Sequence, residues 1–331
     1  MKLFQRVLSV IMLLGLLGLS NSSIVLGAAQ DSSPSSWQQT VYGTNPGPGC
    51  WQVEYPSTTW TSVPCGQPTP STSEEQIGGG YDDEYADSTL YYVQSATGSF
   101  SMESNFGSES DTSSGSNAYS LQLNTNLFTC SYNGHTLTND CIQQFVYNNA
   151  PGGSVYVVYI EYWLLGYYST YGSCPPPGLV SWSQAGSSNC TAFSSSTSVG
   201  SSQSPSSLDS YHLMGSTVVS GSTWDYVQFC NSSYCYSVTV DGTVLNLASG
   251  WVDSQFNVLG QSNGSGAIFT PTSGNTFSIY DDLTVSSPYG NTTPTCNAAV
   301  PNSVEYNNMY LGSGSYACSA GTSNIVYYEY T

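Results

Sequence analysis

The side chains of this chain best placed to do chemistry are carboxyls and carboxamides, and the segment WVDSQFNV, residues 251–258, holds both. Strand alternation places Trp251, Asp253, Gln255 and Asn257 on one face and Val252, Ser254, Phe256 and Val258 on the other. One face is therefore read as polar and exposed in a groove. In acid, a carboxyl group there can activate water while a neighbouring amide stabilises a developing oxyanion. Neither group needs a Lys, Arg, His or metal.

Other chemistries find little support. His135 and His212 stand alone, without HExxH or HxH spacing, and are read as structural. Gly260 to Gly264 (GQSNG) matches the nucleophile-elbow pattern but lacks the strand-turn-helix context that gives the pattern meaning. The run YDDEYAD gathers Asp82, Asp83, Glu84 and Asp87, does not match a calcium-binding loop of the EF-hand type, and is read as a solvated loop. No CxxC pair occurs, and acid protonates thiols. No metal and no cofactor is expected.

The elements that must position these groups are strands. Helix-favouring residues are scarce, whereas AYSLQLNTNLF sets Tyr119, Leu121 and Leu123 on one face, and STLYYVQ, GSVYVVYIEYWLLGY, WDYVQFC, GAIFT and TFSIYDDLTV read the same way. Asp241-Gly242 between two alternating runs predicts a tight hairpin. The serine-rich stretch Phe193 to Ser207 reads as an exposed loop. Ten or more short strands with Gly, Asn and Ser turns predict an all-β fold, a two-layer antiparallel β-sandwich of jelly-roll or concanavalin-like form.

Charge points to the setting. The basic residues are two, Lys2 and Arg6, and an apolar run, Val7 to Leu19, and a small-x-small sequence, Gly27-Ala28-Ala29, follow them. Residues 1–29 read as a secretory signal peptide, so the mature chain keeps all 21 Asp and Glu and no fixed cation. The next most apolar stretch, Ser154 to Tyr168, is interrupted by Glu161 and reads as a buried strand, so no membrane span is expected. Phosphate binding needs basic residues, which excludes nucleic acid as a partner. Crowded carboxylates without cations repel at neutral pH and are neutralised below about pH 4. The chain is therefore expected outside the cell, in an acidic environment, with maximum stability in acid.

Ten cysteines in an exported chain predict a disulfide framework. Nearest-neighbour pairing gives Cys50 with Cys65, Cys130 with Cys141, Cys174 with Cys190, Cys230 with Cys235, and Cys296 with Cys318. Sequons at Asn189, Asn231, Asn263 and Asn291 make a glycoprotein possible. The expected organisation is a signal peptide (1–29), a Ser/Thr/Pro-rich segment (30–75), a sandwich domain (76–290) and a disulfide-linked C-terminal hairpin packed on it (291–331), as a monomer.

The runs CIQQFVYNN, VYIEYWLLGY, GWVDSQFNVLG, AIFT and FSIYDDLTV together resemble the glutamic peptidases, both the eqolisins and the neprosin-like group, over roughly residues 115 to 285. The resemblance implies a secreted, acid-active β-sandwich endopeptidase with a polypeptide substrate. It places Gln144 at the family's catalytic glutamine, Glu161 at a conserved glutamate, and Gln255 where the catalytic glutamate would stand. An amide cannot act as general acid or base, so activity would draw its carboxyl from Glu161 or Asp253. The alternative is a non-catalytic carbohydrate-binding or cell-surface protein, whose Gln144 and Gln255 hydrogen-bond a glycan among the seven Trp and 27 Tyr.

Overall fold

Most stretches that alternate apolar and polar residues form strand, but STLYYVQ does not in its described part: Tyr92 to Gln94 are irregular and the next strand begins at Ser95. A computed structural model of the protein describes residues 33–68, 84–87, 92–220, 222–262, 264–287, 293–298, 305–312 and 318–331. The expected signal peptide lies outside these residues, as do Asp82, Asp83, Asn263 and Asn291.

After helix α1 (Pro34–Val41) come β1 (Gly49–Glu54), β2 (Thr61–Val63), β3 (Glu84–Asp87), β4 (Ser95–Ser104), β5 (Phe106–Asp111) and β6 (Gly115–Ser116). There follow β7 (Tyr119–Thr125), β8 (Phe128–Tyr132), β9 (His135–Ala150), β10 (Val155–Leu164), helix α2 (Tyr167–Tyr171), β11 (Ser183–Ala185), β12 (Asn189–Phe193) and β13 (Thr197–Ser198). Strands β14 (His212–Ser220), β15 (Ser222–Cys230), β16 (Tyr234–Asp241), β17 (Asp253–Gly260), β18 (Gly266–Pro271) and β19 (Ser278–Ser286) complete the centre. The last are β20 (Thr295–Ala298), β21 (Tyr306–Asn307), β22 (Tyr310–Leu311), β23 (Cys318–Ala320) and β24 (Asn324–Tyr330).

These strands make an all-β sandwich. One sheet runs β2-β1-β16-β15-β14-β4-β19-β24-β22 with β23 on β24; the other runs β11-β12-β10-β9-β7-β17-β3-β20 with β8 on β9 and β13 on β10. A small third sheet, β21-β18-β5-β6, was not foreseen, and its β18 to β21 pairing is parallel. The C-terminal stretch enters both large sheets, and Cys296–Cys318 joins β20 of one to β23 of the other.

The layers meet through aromatic rings seated on glycines. A Cβ on Gly98 of β4 would lie 2.0 Å from the Phe256 ring, and one on Gly215 of β14 would lie 2.2 Å from the Phe145 ring. Tyr147 stacks on Phe229 with centroids 4.0 Å apart. All five disulfides form as nearest neighbours: Cys50–Cys65, Cys130–Cys141, Cys174–Cys190, Cys230–Cys235 and Cys296–Cys318.

Four local expectations change. Trp251 does not share a face with Gln255: the strand begins at Asp253, and Trp251 turns into the core against Phe145, its indole N–H donating to the Asp253 carbonyl and the Ser254 hydroxyl. Asp241-Gly242 is not a two-residue hairpin, because the Asp241 carboxylate accepts from the Thr243 N–H and hydroxyl and starts a longer turn ending at Leu247–Ser249. The serine-rich stretch is an exposed loop only in its second half, from Gly200 to Ser204; its first half is not. Ser194 N–H donates to Ile160 O and Val199 N–H to Tyr156 O, so its backbone runs along β10 with Ser194, Ser196 and Thr197 buried. Finally, Glu84 to Asp87 form a strand between β17 and β20 rather than a solvated loop.

Candidate functional site

Strand register brings the predicted polar residues into one line. Glu161 of β10 pairs with Gln144 of β9, Gln144 with Asn124 of β7, and Asn124 with Gln255 of β17. Directly opposed residues point to the same face, with Cβ atoms about 5 Å apart, so the four side chains form a continuous row. Their neighbours Ile160, Phe145, Leu123 and Phe256 point the other way, into the core. Asp253 is two residues before Gln255 on the same face of β17, three strands away from Glu161.

The carboxamides are held in fixed orientation. The Trp163 indole N–H donates to Gln144 Oε1 (2.8 Å), which turns the Gln144 amide nitrogen towards Asn124 Oδ1 (2.9 Å) and, more weakly, Gln122 Oε1 (3.4 Å). Gln122 Nε2 donates to the Ser120 hydroxyl (3.0 Å), and that hydroxyl donates to the Gly260 carbonyl (2.8 Å). Such a chain of donors, each satisfied by the next, rigidifies a buried polar face.

The row is not the exposed groove that alternation suggested. Asn124 and Gln255 are each 1% exposed, Gln144 4% and Glu161 8%. Residues near the C-terminal end reach this face. Asn307 Nδ2 donates to Asn257 Oδ1 and to the Val258 carbonyl, both at 3.1 Å. Asn257 Nδ2 in turn donates to Glu329 Oε1 (3.1 Å). Glu305, itself buried, lies near enough to Glu161 for their charges to interact.

Burial pushes the Glu161 carboxyl well above the ordinary carboxylate range, and the neighbouring Glu305 pushes it further; the Thr191 hydroxyl, donating to Oε1 at 3.3 Å, and Trp163 pull it partly back. Other carboxyls follow the same rule. Desolvation, with Asp241 adding to it, raises Asp225 to about 7 against hydrogen bonds from Gln143 and Thr217; desolvation and Asp111 raise Glu109 to about 8. Glu103 rises to about 7 through desolvation and Asp209.

Sequence reasoning missed Asn124, Trp163 and Glu305. The first two carry a signal: Asn124 is an off-beat residue of the AYSLQLNTNLF alternation, and Trp163 lies two residues beyond Glu161. Glu305 has none, because it belongs to no periodic run. A cavity of about 440 Å³ lined by Tyr162, Leu179, Phe193, Val240, Asp241 and Val244 does not include Glu161, Gln144 or Gln255. Among the described residues, no three His, Cys, Asp or Glu side chains group as a metal ion would need, and no helix is long and apolar enough to cross a membrane. Partial burial lowers the pKa of His212, and His135 stacks on Tyr171. The sequon residue Asn231 is 9% exposed and its amide N–H donates to Gln203 Oε1.

No family model matches the chain, and no curated protein matches it. Among solved structures it is similar to scytalido-glutamic peptidase bound to a transition state analog inhibitor, at 12% identity over 76% of this chain and 98% of that one, with a TM-score of 0.37. It is also similar to SCP-B, a member of the eqolisin family of peptidases in complex with a tripeptide, at 10% identity over 76% of this chain and 98% of that one, with a TM-score of 0.33.

Proposed function

We propose that this chain hydrolyses peptide bonds in acid, with Glu161 as its catalytic carboxyl and Gln144 as its oxyanion-stabilising amide. The carrying observation is the direct cross-strand pairing of Glu161 with Gln144 inside an oriented row of carboxamides. A carboxyl beside a fixed amide is the minimal set for adding water to a carbonyl without metal or imidazole; the motif resemblance supports Gln144 as the catalytic amide and gives Glu161 only a conserved glutamate position.

In this reading ionised Glu161 takes a proton from water as the water oxygen bonds to the scissile carbonyl carbon. The Gln144 amide, aimed by Trp163, donates to the developing oxyanion, displacing its longer bond to Gln122. Glu161 then returns the proton to the nitrogen as the C–N bond breaks, leaving a carboxylic acid and an amine. Asn124 and Gln255, farther along the row, hydrogen-bond the substrate backbone. Asp253 sits too far along the sheet to share the carboxyl role. The setting we infer is extracellular and acidic.

The test is prolonged incubation with acid-denatured protein at about pH 2 to 4, comparing wild type with Glu161→Gln and Asp253→Asn. Peptide release should fall at least about 100-fold in the first variant, as for loss of a principal acid–base group, and stay within a few-fold in the second. Release that is indifferent to Glu161→Gln overturns the assignment.

A further inference from the structure

We propose that Glu305–Asn308 is an internal occupant of the substrate path, which makes the folded chain latent and marks the path as one for an extended polypeptide lying across the strands. This rests on the peptidase reading of the row. Asn307 is bonded to β17 and Glu305 interacts with β10, while β9 and β7 lie between those strands in the sheet. At roughly 4.8 Å per strand the two anchor points are about 14 Å apart. Two residue steps span only about 7 Å, so it is the main chain of 305–307 together with the Glu305 and Asn307 side chains that reaches across the strands carrying Gln144 and Asn124.

The segment is held as a bound peptide would be, through main chain and amide groups. Tyr306 and Asn307 pair in parallel with Gly266 and Ala267, Tyr306 N–H donates to Ser265 O, and Asn308 exchanges two bonds with the Phe269 backbone, Oδ1 accepting from its N–H (2.7 Å) and Nδ2 donating to its carbonyl (3.0 Å). Met309 follows as a buried anchor, 2% exposed. A row that is at most 8% exposed at any of its four members meets a substrate only in the small fraction of molecules in which the segment has lifted. The carboxyl is also detuned: burial first, and then the charge of Glu305, favour protonated Glu161, whereas the proposed reaction begins with it ionised. Displacing 305–308 both opens the row and returns Glu161 towards the ordinary carboxylate range, so that it ionises in acid.

The composition supplies a clean test. Beyond Arg6 the chain holds no Lys or Arg, so Tyr310→Arg, at a position 60% exposed, creates a single tryptic site in the rest of the protein. Cys296–Cys318 encloses that site and keeps the cut chain covalently joined. Intact and nicked protein are compared for hydrolysis of acid-denatured serum albumin at about pH 3 and for carbodiimide labelling of Glu161, read by mass spectrometry. Nicking should raise both at least tenfold. Asn307→Ala, which loosens the segment without a cut, should raise Glu161 labelling severalfold and serves if trypsin does not reach residue 310. Labelling and hydrolysis unchanged by both manipulations overturn the proposal, and equal hydrolysis before and after leaves only the peptidase reading standing. Raised labelling without hydrolysis sustains the internal occupant and sinks the peptidase reading instead.

Discussion

Replacing Asp225 with Asn should invert its effect on stability between acid and mild base. Asp225 is fully buried between the sheets, accepts a 2.9 Å hydrogen bond from Gln143 Nε2, and has its pKa raised from 3.8 to about 7, chiefly by loss of water. A carboxyl with a raised folded-state pKa contributes stability fully present below its unfolded value near 3.8 and lost as pH rises through about 7. The rise from 3.8 to about 7 corresponds to ~4 kcal/mol, at ~1.36 kcal/mol per tenfold change in proton affinity. Asparagine keeps an oxygen for Gln143 and never ionises. At about pH 3 the variant should be less stable than wild type by up to ~1 kcal/mol, the worth of an imperfectly replaced hydrogen bond. At about pH 8 it should be more stable by roughly 3 kcal/mol, the ionisation cost less that loss. Guanidinium unfolding with disulfides intact, run at both pH values, measures the difference directly. A mutant-to-wild-type gap that stays the same at both would refute the idea that buried, protonated carboxyls set the pH range of this fold.

Other expectations follow from the same structure. Gly215→Ala should destabilise by about 1–3 kcal/mol in urea or thermal unfolding, since its Cβ would meet the Phe145 ring at 2.2 Å; a loss under ~0.5 kcal/mol would mean the layers are looser than drawn. Trp163→Phe removes the donor to Gln144 Oε1 and should lower kcat for peptide hydrolysis by about tenfold or more with little change in KM, as expected for an orienting group. Removing the Cys174–Cys190 bridge, with its sequence separation of 16, should cost about 3 kcal/mol, seen as a lowered unfolding midpoint. Thermal melts across pH should peak in acid and fall between about pH 4 and 8 as Glu103, Glu109 and Asp225 ionise.

Much of the fold was legible because period-two alternation is local. Tyr119, Leu121 and Leu123 do point into the core together, and the spacing of the cysteines matched their pairing because each bridge closes a loop of sequence separation 22 or less. The site was half legible. Pro151 to Gly153 turns β9 back onto β10, and that turn sets Gln144 opposite Glu161. Burial of the row was not legible, since alternation reports which way a side chain points and says nothing of what covers it. Asn307, some fifty positions after β17, reaches the same face through side-chain bonds to Asn257 and Val258 that leave no periodic trace. Trp251 was misassigned for a related reason: pattern continued one step past the strand's first residue, where the chain had already turned inward.

The missing cations take on a structural meaning. Asp225 lies against Gln143, Glu329 against Asn257, and Glu161 against Thr191, so amides and hydroxyls stand where another protein would set Lys or Arg. Such partners donate more strongly to a charged carboxyl but still bond a neutral one, whereas a buried lysine beside a protonated acid would carry an uncompensated charge. A fold meant to keep its acids protonated gains nothing from fixed cations and loses stability by burying them. The same neighbours leave Glu161 one change away from ionising, which is removal of the peptide segment that shuts out water and sets Glu305 beside it.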